Sequence, residues 1–172
     1  MFKIFKITLT LIIVLGIVTS LILYFYKFPK EVDLVLPAVS FYENDPSSIK
    51  HTSVRVSGTL YRPFFRQHIF KGKIMIDGLD FTKVNNTLDT YVLEKNNGIN
   101  MSNLVYQKPS QPWEFVTLSI IWFDDNFEHI NIVSNWGENK KLTLFIVSAS
   151  SYEEAVVSQQ KMKELYGSTF VP

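Results

Sequence analysis

The sequence predicts a mainly β, α+β protein. An N-terminal transmembrane helix leads into an antiparallel β-sheet domain of meander or sandwich type, with one C-terminal helix packed on the sheet. Three observations carry this. Residues 7–26, ITLTLIIVLGIVTSLILYFY, contain no charged side chain. From residue 54 to residue 148 apolar and polar residues alternate, and turn signals recur about every 8–15 residues, as in all-β domains. Only over residues 152–166 does the period become helical.

The first element is the anchor, expected as a helix over about 7–26 within a 1–30 tail-and-anchor segment. Twenty residues at a rise of about 1.5 Å span the hydrocarbon core of a bilayer, about 30 Å. In lipid a lone segment satisfies its backbone only as a helix, so its β-branched residues are no objection. Thr8, Thr10, Thr19 and Ser20 can bond back to carbonyls one turn earlier. Tyr24, Phe25, Tyr26 and Phe28 close the segment with rings suited to the headgroup level. Lys3 and Lys6 precede the run and Lys27 and Lys30 follow it, nearly symmetrically. The short tail and long following domain favour a cytoplasmic N-terminus. A cleaved signal peptide would end on a small-x-small pair. Here Val18-Thr19-Ser20 is followed by six more apolar or aromatic residues, so a retained anchor is expected. Gly16 and Ser20 form a small-xxx-small pair, the candidate contact should two such helices dimerise.

Residues 31–172 form the expected extracytoplasmic domain. The chain of 172 residues carries 17 Lys and Arg and 16 Asp and Glu. Four of the bases flank the anchor and all the acids lie beyond it, so the domain is mildly acidic, near −3. That argues against a nucleic-acid partner. Zero cysteine excludes disulfides, thiolate catalysis, cysteine metal sites and lipoprotein acylation. Only three alanines amid many Ile, Asn, Lys and Phe suggest A+T-rich coding, a bacterial hint.

Within the domain, Val54 to Tyr61 and Phe70 to Ile76 alternate as strands. Asp77-Gly78 predicts a type I′ hairpin turn, with a strand resuming at Leu79 to Thr82. Thr90 to Leu93 leads to a second turn at Asn96-Asn97-Gly98. Asn103 to Gln107 is closed by Pro109 and Pro112. Phe115 to Phe123 is the longest apolar strand, turned by Asp124-Asp125-Asn126. His129 to Val133 and Leu142 to Ser148 complete the series, with Gly137 and Asn139 between them. Ser151 and Glu154 then form a capping box. Tyr152, Ala155, Val156, Gln159, Met162 and Tyr166 share one helical face, and Gly167 is a natural end.

The run Gly58-Thr-Leu-Tyr61, with Phe70-Lys-Gly-Lys-Ile-Met-Ile-Asp-Gly78, resembles an uncharacterised family of small membrane-anchored proteins of Gram-positive bacteria. Phe123-Asp-Asp-Asn-Phe127 and Val147-Ser-Ala-Ser-Ser-Tyr-Glu-Glu-Ala155 belong to the same likeness, which covers most of residues 50–165. It implies a single N-terminal anchor and supplies no activity and no functional residues.

No catalytic, cofactor or metal site is expected. His51, His68 and His129 stand apart, and Glu128 and His129, being adjacent, should face opposite sides of a strand. Asp124, Asp125, Asn126 and Glu128 lack the order of a calcium loop and read as a solvated turn. There is no G-x-S-x-G elbow and no G-x-G phosphate loop. The S-x-x-K tetrads at Ser47 and Ser158 lack the partner motifs of penicillin-binding enzymes. The most unusual stretch is Tyr61-Arg62-Pro63-Phe64-Phe65-Arg66-Gln67-His68. Tyr61, Arg62, Phe64, Phe65 and Arg66 are the candidate interaction surface, facing anionic lipid or stacking on glycan or peptide. Alternatively the phenyl rings enter the core while the arginines snorkel. Trp113, Trp122 and Trp136 are expected in or near the core. The expected function is a non-enzymatic interaction module at the cell envelope, with the bilayer as one partner and an envelope protein or glycan as another. The alternative is an envelope hydrolase using carboxylates that no motif marks.

Overall fold

The apolar run forms one helix, α1 (Phe2–Phe25), in a computed structural model that describes residues 2–43, 45–111, 113–134 and 143–170. The stretch Lys3–Phe25 is long and apolar enough to cross a membrane, and none of its apolar window is buried by the rest of the chain. The hydroxyls of Thr8 and Thr10 donate to the carbonyls of Ile4 and Lys6 at 3.0 and 2.9 Å. Each is thereby satisfied without water.

Only three residues separate α1 from the first strand. The order then runs β1 (Pro29–Tyr42), β2 (Asp45–Tyr61), β3 (Ile69–Ile76), α2 (Asp80–Val84), β4 (Asn86–Thr87) and β5 (Thr90–Asn96). It continues through β6 (Ile99–Gln107), β7 (Phe115–Asp124), β8 (Ile130–Ser134), β9 (Leu144–Val147) and α3 (Tyr152–Tyr166). The protein is mainly antiparallel sheet with an apolar N-terminal helix and a C-terminal helix, as predicted. Pro112, Trp136, Gly137, Asn139 and Leu142, which the sequence reading also used, lie outside the described residues.

The sheet is a meander that closes on itself rather than a sandwich. Each main strand pairs with the next, β9 pairs with β1, and β6 pairs with β7. The ring is β1-β2-β3-β5-β6-β7-β8-β9, and β4 adds two residues to β6 beside β5. Closure depends on residues 29–53, where the sequence pattern indicates no strand. β1 runs with β2 from Pro29–Tyr61 to Ser40–Lys50, and its last four residues also hold β9. That stagger is what a closed barrel needs. Pro37 obscures β1 in the sequence. Its carbonyl accepts the Ala149 N–H at 3.1 Å, so this position faces the β9 edge, beyond the last ladder pair Val39–Val147. A missing N–H costs nothing there.

Inward side chains fill the barrel. Val54, Val56 and Leu60 of β2 meet Phe70, Ile74 and Ile76 of β3, Leu104 and Tyr106 of β6, Ile121 and Phe123 of β7, and Ile130 and Ile132 of β8. An eight-stranded ring is just wide enough to be packed this way. Gly58 and Gly72 are cross-strand partners at one tight point. A Cβ on Gly58 would lie 2.3 Å from the Lys71 carbonyl oxygen, and one on Gly72 2.3 Å from that of Ser57. The Phe70 ring lies over Gly72 and meets Phe127 at 4.9 Å between centroids. Phe127 comes from the β7–β8 turn, sits at φ 59° and stacks on Phe123 at 4.3 Å. It is fully buried and plugs the end of the barrel nearest α1.

Asp77-Gly78 turns the chain, but no hairpin strand follows. Type I′ geometry needs positive φ at both positions, and only Gly78 has it. Residues 80–84 form α2 instead of a strand. The reason lies on β3. Its free edge pairs with β5 only through Ile69–Tyr91 and Phe70–Thr90. Side chains satisfy the rest: the Ile74 and Ile76 N–H groups donate to the Thr87 and Thr82 hydroxyls, and the Tyr106 hydroxyl donates to the Ile74 carbonyl at 2.8 Å. By contrast the turn predicted at Asn96-Asn97-Gly98 forms, as a two-residue hairpin with Asn97 and Gly98 both at positive φ.

α3 lies on the outside of the wall. Its Ser151 side chain accepts the Glu154 N–H at 3.2 Å, and Glu154 accepts the Ser150 N–H at 2.7 Å. Ala155 packs against Val39, Phe41, Phe145 and Val147, and Met162 and Tyr166 pack against Ile99 and Trp122. Gln159 donates to Asn131 at 3.0 Å. Val156, expected inward, is exposed, and Ser158 takes the buried place. Trp122 is in the core as expected, whereas Trp113 is 78% exposed on the β6–β7 loop.

Two substitutions check this packing. Phe127→Ala should lower the unfolding free energy of the detergent-solubilised protein by about 3–5 kcal/mol, the cost of emptying a buried phenyl site. Gly72→Ala should cost about 1–3 kcal/mol or more, because the clash is with backbone. Denaturant midpoints measure both, and a Phe127→Ala midpoint equal to wild type would refute the plug.

Candidate functional site

The barrel end next to α1 gathers the β2–β3 loop (62–68), the β5–β6 turn and the β7–β8 turn. The loop is fastened to the helix. The Arg62 N–H donates to the Lys27 carbonyl at 2.7 Å. The Arg66 guanidinium donates to the Tyr24 carbonyl at 3.1 Å and lies 5.6 Å from the Tyr24 ring centre. A cation on a last-turn carbonyl also suits the negative end of the helix dipole. Lys27 stands 5.8 Å from the Tyr61 ring. Phe28, at φ 43°, packs edge-on to Tyr26 at 4.7 Å and to Phe64 at 5.4 Å.

The structure thus brings Tyr61, Arg62, Phe64 and Arg66 together at the helix exit. It corrects the alternative in which both phenyl rings enter the core: Phe64 and Phe65 are 68% and 66% exposed. They have no room inside, where Phe70, Phe123 and Phe127 already occupy this end of the barrel. Gly16 and Ser20 lie on the exposed surface of α1, apart from this cluster.

Lys95 and Asp125 complete the site, and no sequence pattern ties them to the 61–68 stretch. Arg62, His68, Lys95 and Asp125 line a cleft of about 330 Å³ with Phe28, Pro63 and Phe64. Lys95 reaches both Asp125 oxygens, at 2.9 and 2.7 Å, and Asn100 donates to the same carboxylate at 2.9 Å. Lys30 bonds the Asp125 carbonyl at 3.1 Å and the Asn126 side chain. These partners are far apart in the chain, and no local motif links them.

Burial pushes the His68 imidazole below its ordinary range. The Lys95 and Arg62 charges add to this, against an opposing pull from Asp125. For Asp125, burial works against ionisation. The hydrogen bonds from Lys95 and Asn100 and the nearby positive charge outweigh it and hold the carboxyl below its ordinary value.

A second group lies on the other side of the β7–β8 turn. Ligand atoms of Asp124, Glu128 and His129 fall within 4.8 Å of one another. The expectation that adjacent Glu128 and His129 diverge is corrected, because both lie in the turn, before the strand alternation begins. Yet Asp124 is already committed. One oxygen accepts the Asn126 and Glu128 N–H groups at 2.9 and 3.0 Å. The other accepts the His129 N–H at 3.2 Å and meets His129 Nδ1 at 2.7 Å. This carboxylate organises the turn that delivers Phe127. At the far end of the barrel a separate cleft of about 330 Å³ is lined by Ser40, Ser48, His51, Thr52, Asp77 and Leu79, among others.

The charge relations near His68 are open to measurement. Lys95→Gln removes a repelling charge and frees Asp125, so the His68 titration midpoint should rise in an NMR pH series. His68 and Asp125 both have lowered folded values, so each contributes stability above its unfolded pKa, about 6.5 and about 3.8. That contribution is lost as pH falls through the folded values. Thermal unfolding midpoints should therefore decline on acidification, and a flat profile from neutral to pH about 3 would contradict the assignment.

Compared with known proteins, the chain matches no protein-family model, no curated protein and no solved structure.

Proposed function

We propose that this is a single-pass membrane protein of the bacterial cell envelope, with its N-terminus in the cytoplasm and its barrel outside. The barrel serves as a non-enzymatic interaction module held against the membrane surface, open to an envelope protein or glycan. The junction carries this reading. An exposed apolar helix of crossing length enters β1 after three residues. The aromatic and basic loop 62–68 is bonded to its last turn. Aromatic rings and basic side chains at a helix exit suit the headgroup layer. Tethering there raises the effective concentration of any membrane-proximal partner.

The full chain should stay with membranes through an alkaline carbonate wash. Protease added to intact spheroplasts should digest the barrel and spare the N-terminal tail. Release by carbonate would remove the anchor from this reading, and a protected barrel would reverse the orientation. Crosslinking in native membranes would then identify the partner.

A further inference from the structure

We propose that the cleft formed by Phe28, Arg62, Phe64, His68, Lys95 and Asp125 binds the phosphodiester headgroup of a singly charged anionic phospholipid. This rests on the membrane reading above, and it names a specific ligand for the site found there.

Three properties of the cleft select that ligand. The first is charge. Lys95 is neutralised by Asp125 at 2.7 Å, while Arg62 has no ion pair among the described residues. Of the two basic side chains that line the cleft, one is thus left unmatched, and a phosphodiester brings one negative charge. The second is hydrogen bonding. Arg62 Nε and His68 Nδ1 are shielded from solvent and have no hydrogen-bond partner. A shielded donor left unmatched is costly, and a ligand acceptor would relieve it. Phosphate oxygens accept only, and a guanidinium fork matches them. The neutral imidazole can place its single proton on Nδ1 and donate as well.

The third property is position. Lys3–Phe25 at about 1.5 Å per residue covers the hydrocarbon core with little to spare. With that segment filling the core, Phe28 and Phe64 fall where the glycerol backbone gives way to the headgroup, and Arg62 lines the cleft beside them. The two rings offer an apolar wall to the lipid's upper chain carbons, and Lys27 and Arg66 add positive potential on the flank. A zwitterionic headgroup would bring its ammonium against Arg62 and Lys95. The domain as a whole is near −3, so general attraction to an anionic surface would not hold such a lipid; a local site would.

The test uses the full chain in nanodiscs of three kinds. They hold phosphatidylcholine alone, phosphatidylcholine with phosphatidylglycerol, or phosphatidylcholine with inorganic phosphate added to the buffer. Native mass spectrometry counts retained lipid, and NMR follows the His68 titration. The expected result is one retained phosphatidylglycerol and a His68 midpoint raised only in the second arm. Arg62→Gln should weaken retention about fivefold or more, the factor matching about 1 kcal/mol per basic residue at an anionic surface. Arg62→Lys should keep part of it, and Lys161→Gln on α3 should keep all of it. Equal retention of both lipids, or full retention by Arg62→Gln, would overturn the site. A His68 shift produced equally by inorganic phosphate would assign it to the free ion instead. If Arg62→Gln fails to fold, the wild-type His68 readout across the three arms decides. Failure to incorporate into phosphatidylcholine nanodiscs would count against the anchor itself, separately from the headgroup site.

Discussion

The structure depends on one strand. β1 starts three residues after the apolar helix, pairs with β2 along most of its length, and holds β9 with its last four residues. Without it the meander would have two raw edges. With it, the edges vanish and the domain is joined to α1 with almost no slack. A flexible linker would let the barrel drift. Here backbone and guanidinium hydrogen bonds to Lys27 and Tyr24 remove that freedom. The clustering of rings and bases at the helix exit follows from this closure, because β2 must end, and β3 must begin, beside the start of β1.

The turn that closes the same end shows how a few polar groups place an apolar one. Asp124 receives three backbone N–H groups and the His129 ring. Asp125 faces the other way and receives Lys95 and Asn100. Between them the chain holds Phe127 in a left-handed conformation that non-glycine residues seldom adopt. The carboxylates that resemble a cation loop in one dimension are thus spent on the fold.

How much of this was readable in the sequence varied with the physics involved. Strong local signals held. The charge-free run became α1, Asn97-Gly98 made its hairpin, and Ser151 and Glu154 marked the start of α3. Alternation identified β2 from Val54 and β3, and apolar runs between turn signals identified β5 through β9. What depended on distant partners was hidden. Pro37 masked β1, since its harmlessness comes from an edge that β9 leaves vacant. Leu79 to Thr82 had a strand-like pattern, but β3 needed hydroxyls on its open edge more than another strand. The loop 61–68 stood out by composition alone. Its partners Lys95 and Asp125 come from two other strand ends, and no spacing rule joins them to it.

The short junction has a mechanical side. A barrel on a slack tether transmits neither twist nor tilt, whereas this one is clamped to the last turn of its helix by contacts on two sides. Any torque applied at the far mouth, near Ser40 and Asp77, passes down β1 into α1. The exposed face bearing Gly16 and Ser20 lies on that same helix. The rotation of the barrel and that of its N-terminal helix are therefore coupled through a junction of three residues.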